Sequence, residues 1–264
     1  MKVIAVMSPK GGIGKTTTAD SVAYILGEER ERRVLVIDGD PQGDTSKTFG
    51  VYEQEETGMS RLLEHHVCAG GEYHTSELVW PTKYPNIDIL PANGYLVRTD
   101  LNLMMSQEGN QVTRLTEALA EVSKEYDYCI CDCGRLFDMV VVNILIAAEL
   151  IIAPVKVGGY ENEAIKNLCD QAGDLRDINP KLRIKAILTM RQKNKTSLEF
   201  EEWLRTSSGL DVFATPVRRS VLAERATIAM TVLPEFSRNG IATRDYREVV
   251  RELLEEMEGK AWGR

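Results

Sequence analysis

The chain has 264 residues, 43% of them hydrophobic and 27% charged, and a formal net charge of −8. That length supports one α/β domain with a full core, and the composition is ordinary for a globular protein. The acidic balance excludes a surface adapted throughout to nucleic acid, though not a local basic patch, and no apolar run approaches the roughly 20 residues that cross a bilayer.

The chain opens on a strand-like run, Val3–Met7, so no signal peptide is expected and a cytoplasmic location follows. SPKGGIG comes next, and Lys15 opens a helix expected over Lys15–Gly27. Gly11, Gly12 and Gly14 let the backbone curl and turn its N–H groups inward, and the helix adds its N-terminal dipole. Lys15 is then placed to reach the β- and γ-phosphates of a nucleotide, Thr16 to ligate Mg²⁺, and Thr17 to reach the α-phosphate. A glycine-rich turn before an ordinary helix is the plainer alternative, but Gly-Lys-Thr directly after a strand argues against it.

A second strand, Arg33–Ile37, leads into DGDPQG, Asp38–Gly43. Carboxylates at strand ends lie on the same edge of a parallel sheet as the phosphate loop, which suits Asp38 to hold Mg²⁺ through water and Asp40 to orient an attacking water. Each aspartate alone could merely cap a helix or satisfy a turn. From Val51 to Tyr84 the pattern is least regular and predicts helices and loops at the sheet edge. His65, His66 and Cys68 follow the helical stretch SRLLEHH and have no second cluster at metal-site spacing, so a solvated helix end is expected.

Ile87–Pro91 is the third strand, followed by a helix over Thr113–Glu125. The apolar strand Tyr126–Asp132 ends in a carboxylate suited to Mg²⁺. Cys129, Cys131 and Cys133 alternate along it, so they share one face and read as small core residues rather than ligands. With Cys68 and Cys169 the cysteines number five, which does not suggest a disulfide framework. A helix over Met139–Glu149, a strand Leu150–Val155, a helix over Glu161–Asp177 and a strand Arg183–Thr189 come next. Then follow a helix over Ser197–Arg205, a strand Asp211–Thr215 and a helix over Arg244–Glu258, whose Val249, Val250, Leu253, Leu254 and Met257 form one face. The alternation predicts an α/β fold: a single-domain P-loop NTPase spanning residues 1–264, with a mostly parallel twisted sheet and helices on both faces.

The strict G-x-x-x-x-G-K-[ST] pattern fails, since Pro9 stands at the first glycine and a second lysine, Lys10, opens the loop. This K-G-G-x-G-K-T resembles the deviant Walker A motif of ParA/MinD ATPases. The resemblance implies ATP and Mg²⁺ as ligands, an ATP-state homodimer and a Lys10 that crosses to the partner's phosphates, making hydrolysis depend on dimerisation. It also implies that Lys10, Lys15 and Asp40 are catalytic, that Gly11–Thr17 including Ile13 cradle phosphate, and that Thr16, Asp38 and Asp132 serve the metal. The adenine is expected near Met190 and Pro216.

DGDPQGD, NIDILPAN, YDYCICDC and VFATPVRRSVLAERA look like the ParA branch. That branch binds duplex DNA without sequence preference and has a ParB-like adaptor that stimulates hydrolysis, which would make the protein nucleoid-associated. Arg183–Arg225 carries nine basic residues against five acidic, and the resemblance points to Arg191, Lys193, Lys195, Arg218 and Arg219 as DNA contacts. Three departures bear on switching and hydrolysis rate: Gly134 and Arg135 replace the usual prolines, GGYENEAI replaces E-Y-F-A-x-x-G, and Asp44 replaces Asn. A divergent partition protein of a mobile element fits them. A MinD-like membrane anchor is not expected, because acidic residues outnumber arginines on the last helix. Three other classes remain open: a metabolic ATP-dependent synthetase on the same scaffold, a MinD-like positioning ATPase, and an iron–sulfur ATPase pairing cysteines across a dimer.

Overall fold

Strand β1 (Lys2–Val6) lies at the centre of an eight-stranded sheet, hydrogen-bonded to β5 (Tyr128–Cys133) on one side and β6 (Leu150–Val155) on the other. Beyond β5 come β2 (Val34–Gly39), β4 (Ile87–Leu90) and the edge strand β3 (Trp80–Pro81). Beyond β6 come β7 (Arg183–Leu188) and β8 (Asp211–Val212). All pairings are parallel except β3 with β4. The computed structural model describes residues 1–66, 70–107, 110–159 and 161–259, so Cys68 and Tyr160 of GGYENEAI lie outside the described residues.

The two-residue side-chain period divides the core. Val3, Ala5 and Met7 share one face with Cys129, Cys131 and Cys133, while Ile4 and Val6 share the other with Tyr128 and Ile130. The first face is covered by α3 (Gly58–His65), α5 (Tyr95–Met105), α6 (Arg114–Val122), α7 (Met139–Ala147) and α8 (Glu161–Asp174). The second is covered by α1 (Lys15–Tyr24), α10 (Val221–Ile228), α11 (Leu233–Phe236) and α12 (Ile241–Glu258). Short helices α2 (Asp44–Thr48) and α4 (Thr75–Leu78) sit in the connections, and α9 (Lys195–Thr206) covers the β8 edge. The apolar face expected on α12 is buried, with Val249, Val250, Leu253 and Leu254 at most 2% exposed. Each such side chain contributes roughly 1.5–3 kcal/mol on burial.

Four departures from the sequence expectations have local causes. Helix α1 relaxes into a π turn over Ile25–Glu29, where a side chain at Gly27 would collide with Ile87. Strand β8 stops at Val212 because the amides past Phe213, which still bonds to Ala186, leave the sheet: Ala214 and Thr215 donate to the Glu252 carboxylate of α12. His66 is not at a solvated helix end. It is fully buried, with Nε2 3.1 Å from Thr75 Oγ1 and 3.2 Å from Glu121 Oε2, whereas His65 is exposed. Edge strand β3 contains a proline, a residue that an edge tolerates and that masks the strand pattern.

Candidate nucleotide site

The carboxyl ends of β1, β2 and β5 meet at one point because their registers align: Val6 lies beside Asp132, and Asp132 beside Asp38. The loop from Ser8 to Gly14 leaves β1 there. Gly12 (φ 67°) and Gly14 (φ 89°) are left-handed, a conformation costly for any side chain, and Gly14 caps α1 without a side-chain bond. The loop is tied to the sheet by Thr189, whose hydroxyl donates to the Ile13 carbonyl at 2.8 Å.

Lys15 is buried, and its Nζ donates to the Lys10 carbonyl at 3.3 Å. Desolvation lowers its pKa, partly offset by Asp132 and Asp40. Lys10 points elsewhere: its Nζ donates to Glu161 Oε1 at 2.8 Å, and Glu161 is only 4% exposed. The two lysines of the motif thus hold separate stations.

Behind the loop lies a network of buried carboxyls. Thr16 Oγ1 donates to Asp132 Oδ2 at 2.7 Å, and Thr45 Oγ1 bridges Asp132 Oδ2 at 3.0 Å and Asp20 Oδ1 at 2.9 Å. Asp38 accepts from Ser46 N and Oγ and from Asp40 N. Burial, then the Asp132 charge, raises Asp38 to about 8. Burial raises Asp132 to about 7 against the bonds from Thr16 and Thr45. Asp20 is raised as well, by burial and then by Asp132. Carboxyls so crowded in a dry site call for a cation. Asp132 Oδ1 is buried with no hydrogen-bond partner among the described residues, so it has a coordination position to spare.

Among the described residues no three His, Cys, Asp or Glu side chains close into a metal cage. Mg²⁺ takes one or two protein oxygens and completes its shell with waters and phosphates. Thr16 and Asp132 fit that role. The buried cysteines stay core residues, with Cys129 Sγ 3.8 Å from Cys131 Sγ.

A cavity of about 650 Å³ opens above the loop and reaches Gly11–Thr17, Asp40, Met190 and Arg218. Its far wall is formed by α10, α11 and α12 through Ala223, Leu233 and Tyr246. Met190 lines it with a left-handed backbone (φ 52°). Pro216 is not part of the wall, which begins at the next residue, Val217.

The five basic residues do not form one free patch. Backbone bonds between Arg191 and Val217 and between Arg219 and Arg191 bring the two loops together. Arg218, however, is bound to Asp245 (Nε–Oδ2 2.8 Å) and lines the cavity, and Arg191 is paired with Glu201 at 3.3 Å. Lys193, Lys195 and Arg219 are exposed, the last two within 4 Å of Glu199 and Glu224. Sequence reasoning missed Asp20, Thr45 and Ser46, none of which belongs to a short motif, Glu161, which lies in GGYENEAI but was given no role, and α10, whose exposed surface leaves only Ala226 buried.

Residues 1–184 match the family described as an AAA domain. The chain is 31% identical over 255 residues to the chromosome-partitioning ATPase Soj of Thermus thermophilus, covering 95% of this chain and 94% of Soj. Its fold is similar to cobyrinic acid a,c-diamide synthase of Mycobacterium smegmatis with a bound ATP analogue and magnesium (TM-score 0.82, 24% identity, 98% and 97% of the two chains). It is also similar to a plasmid partition protein of Borrelia burgdorferi bound to AMPPNP (TM-score 0.78, 20% identity, 97% and 99%).

Proposed function

The chain belongs to the ParA family of ATPases, and we propose that it is a nucleotide-switched, dimerising ATPase that binds duplex DNA in its ATP state and serves the partition of a plasmid, chromosome or mobile element. The observation that carries this reading is the division of labour between the two lysines. Lys15 is sunk in the phosphate cradle, whereas Lys10 stands at its rim, held by one removable ion pair.

In this reading the loop amides of Gly11–Thr17 and Lys15 hold the phosphates, and the α10–α11 wall with Met190 receives the base. Mg²⁺, when bound, neutralises phosphate charge and polarises the terminal phosphoryl group. Thr16 and Asp132 would hold it, and Asp38 would support it through water. Asp40, half-buried on the cavity, orients the attacking water and takes up its proton. Lys10 leaves Glu161 and reaches the partner's nucleotide, so turnover by wild type rises with protein concentration and Lys10→Ala abolishes that rise. A ParB-like adaptor accelerates the step. Lys193, Lys195 and Arg219 supply phosphate contacts that dimerisation doubles. The protein works in the cytoplasm, on the nucleoid. No helix among the described residues is long and apolar enough to cross a membrane.

The fold likeness to a diamide synthase favours a second reading, an ATP-dependent synthetase. Fluorescence anisotropy on an arbitrary labelled duplex separates the two. Binding with ATP and Mg²⁺ but not with ADP supports partition, and no binding at low salt in either state refutes it.

A further inference from the structure

Arg135 follows β5 by two residues, beyond Cys133 and Gly134, and stands where β5 and β1 end side by side. Its side chain lies back over the phosphate loop. Nη1 and Cδ come within 3.1 and 3.3 Å of the position that a Cβ on Gly11 would occupy, so the arginine packs closely over the loop at Gly11 and would have to give by a few tenths of an ångström if residue 11 carried a side chain. It lines the same cavity as Lys15, Thr16 and Asp40.

Arg135 forms no hydrogen bond or ion pair with any described residue. The other two arginines of the cavity are engaged, Arg218 by Asp245 and Arg219 by Glu224. Asp40 and Asp44 line the same cavity, yet neither is paired with it. Arg135 thus adds a second positive charge to the cavity that holds the buried Lys15, and no acid side chain is bonded to it. Such an arrangement is unfavourable in the empty protein and becomes favourable when a polyanion enters.

We propose that Arg135 is a cis-acting arginine that grips the terminal phosphate of ATP bound in its own chain. The inference rests on the nucleotide reading above and deepens it. The planar guanidinium offers paired N–H donors to two phosphoryl oxygens, a match that a lysine cannot make. Arg135 makes and breaks no covalent bond. As water oxygen bonds to phosphorus and the bridging P–O bond breaks, the electron pair leaves with ADP, the water proton passes to Asp40, and Arg135 holds the charge on the equatorial oxygens. ADP lacks the group that Arg135 touches, so the residue discriminates between the two nucleotides.

The test compares binding of ADP and of AMPPNP, each with Mg²⁺, to full-length wild type, Arg135→Ala and Arg135→Lys. The predicted result is a ten- to hundredfold loss of AMPPNP affinity in Arg135→Ala, about the worth of one or two charged hydrogen bonds, with ADP affinity changed less than about twofold. Arg135→Lys recovers only part. Adding excess Lys15→Ala chain, which carries Arg135 but no nucleotide, should leave Arg135→Ala defective. An unchanged AMPPNP-to-ADP ratio, equal losses for both nucleotides, or rescue by the Lys15→Ala chain overturns the inference while leaving the ATPase reading intact. Wild type that binds neither nucleotide refutes both.

Discussion

The hydroxyl of Thr16 donates to Oδ2 of Asp132 at 2.7 Å, joining the first turn of α1 to the end of β5. The bond leaves Oδ1 of the same carboxylate buried and without a partner among the described residues. The two groups are therefore already assembled around a position suited to a divalent cation. Asp132→Asn keeps the acceptor for Thr16 but removes the charge. It should reduce the gain in ADP affinity that Mg²⁺ confers by about tenfold or more, one charged contact being worth roughly 1.5–3 kcal/mol. Titrations with and without Mg²⁺ measure this, and an undiminished gain would remove Asp132 from the metal site.

The buried carboxyls also set a pH dependence. Asp38, lifted to about 8, and Asp132, lifted to about 7, both lie above the unfolded value near 3.9. Between pH of about 4 and 8 the folded chain holds protons that the unfolded chain has released. Stability of the metal-free protein must then fall as pH rises through that window. In EDTA, the melting temperature should decline from pH 5.5 to 8.5, and Asp38→Asn should flatten the decline. A flat wild-type profile would contradict the burial of these groups.

Lys10 and Glu161 form a pair in which only the lysine is partly exposed. Lys10→Ala strands a buried carboxylate and should cost roughly 1–3 kcal/mol of stability, below the 3–5 kcal/mol typical of fully buried pairs because water screens one partner. Adding Glu161→Gln should recover most of the loss. Chemical denaturation of the two variants checks this, and equal stability of wild type and Lys10→Ala would show that the pair contributes little.

Much of this arrangement was legible in the sequence. The strands flanking the site are continuous apolar runs, and a phosphate loop between a strand and a helix has a fixed register, so Lys15, Thr16, Asp38, Asp40 and Asp132 could be placed on one edge. What escaped were partners set by tertiary contact. Glu161 reaches Lys10 across 151 positions, and Asp20 meets Asp132 only through Thr45. The same holds for the basic loops: Arg191 and Arg218 are surface-like by sequence, and acids on α9 and α12 engage them. Helix α10 escaped because it lines a cavity and has no apolar stripe.

That engagement changes what charge reversal should do. Lys193→Glu with Lys195→Glu should weaken duplex binding and lower its salt dependence, leaving AMPPNP affinity within about twofold. Arg218→Glu sets two acids together beside the cavity, so it should lower both thermal stability and nucleotide affinity. Anisotropy and calorimetry on the same preparations distinguish the two classes. If Arg218→Glu affected DNA alone, the Asp245 contact would not be structural.

The central claim, that nucleotide identity sets the assembly state and thereby DNA binding, is tested most directly by molar mass. Size exclusion with light scattering should give the monomer mass with ADP and Mg²⁺ and twice that mass with AMPPNP and Mg²⁺. Only the AMPPNP species should co-elute with an arbitrary duplex. The same mass in both nucleotide states, with DNA retained in neither, would contradict the account.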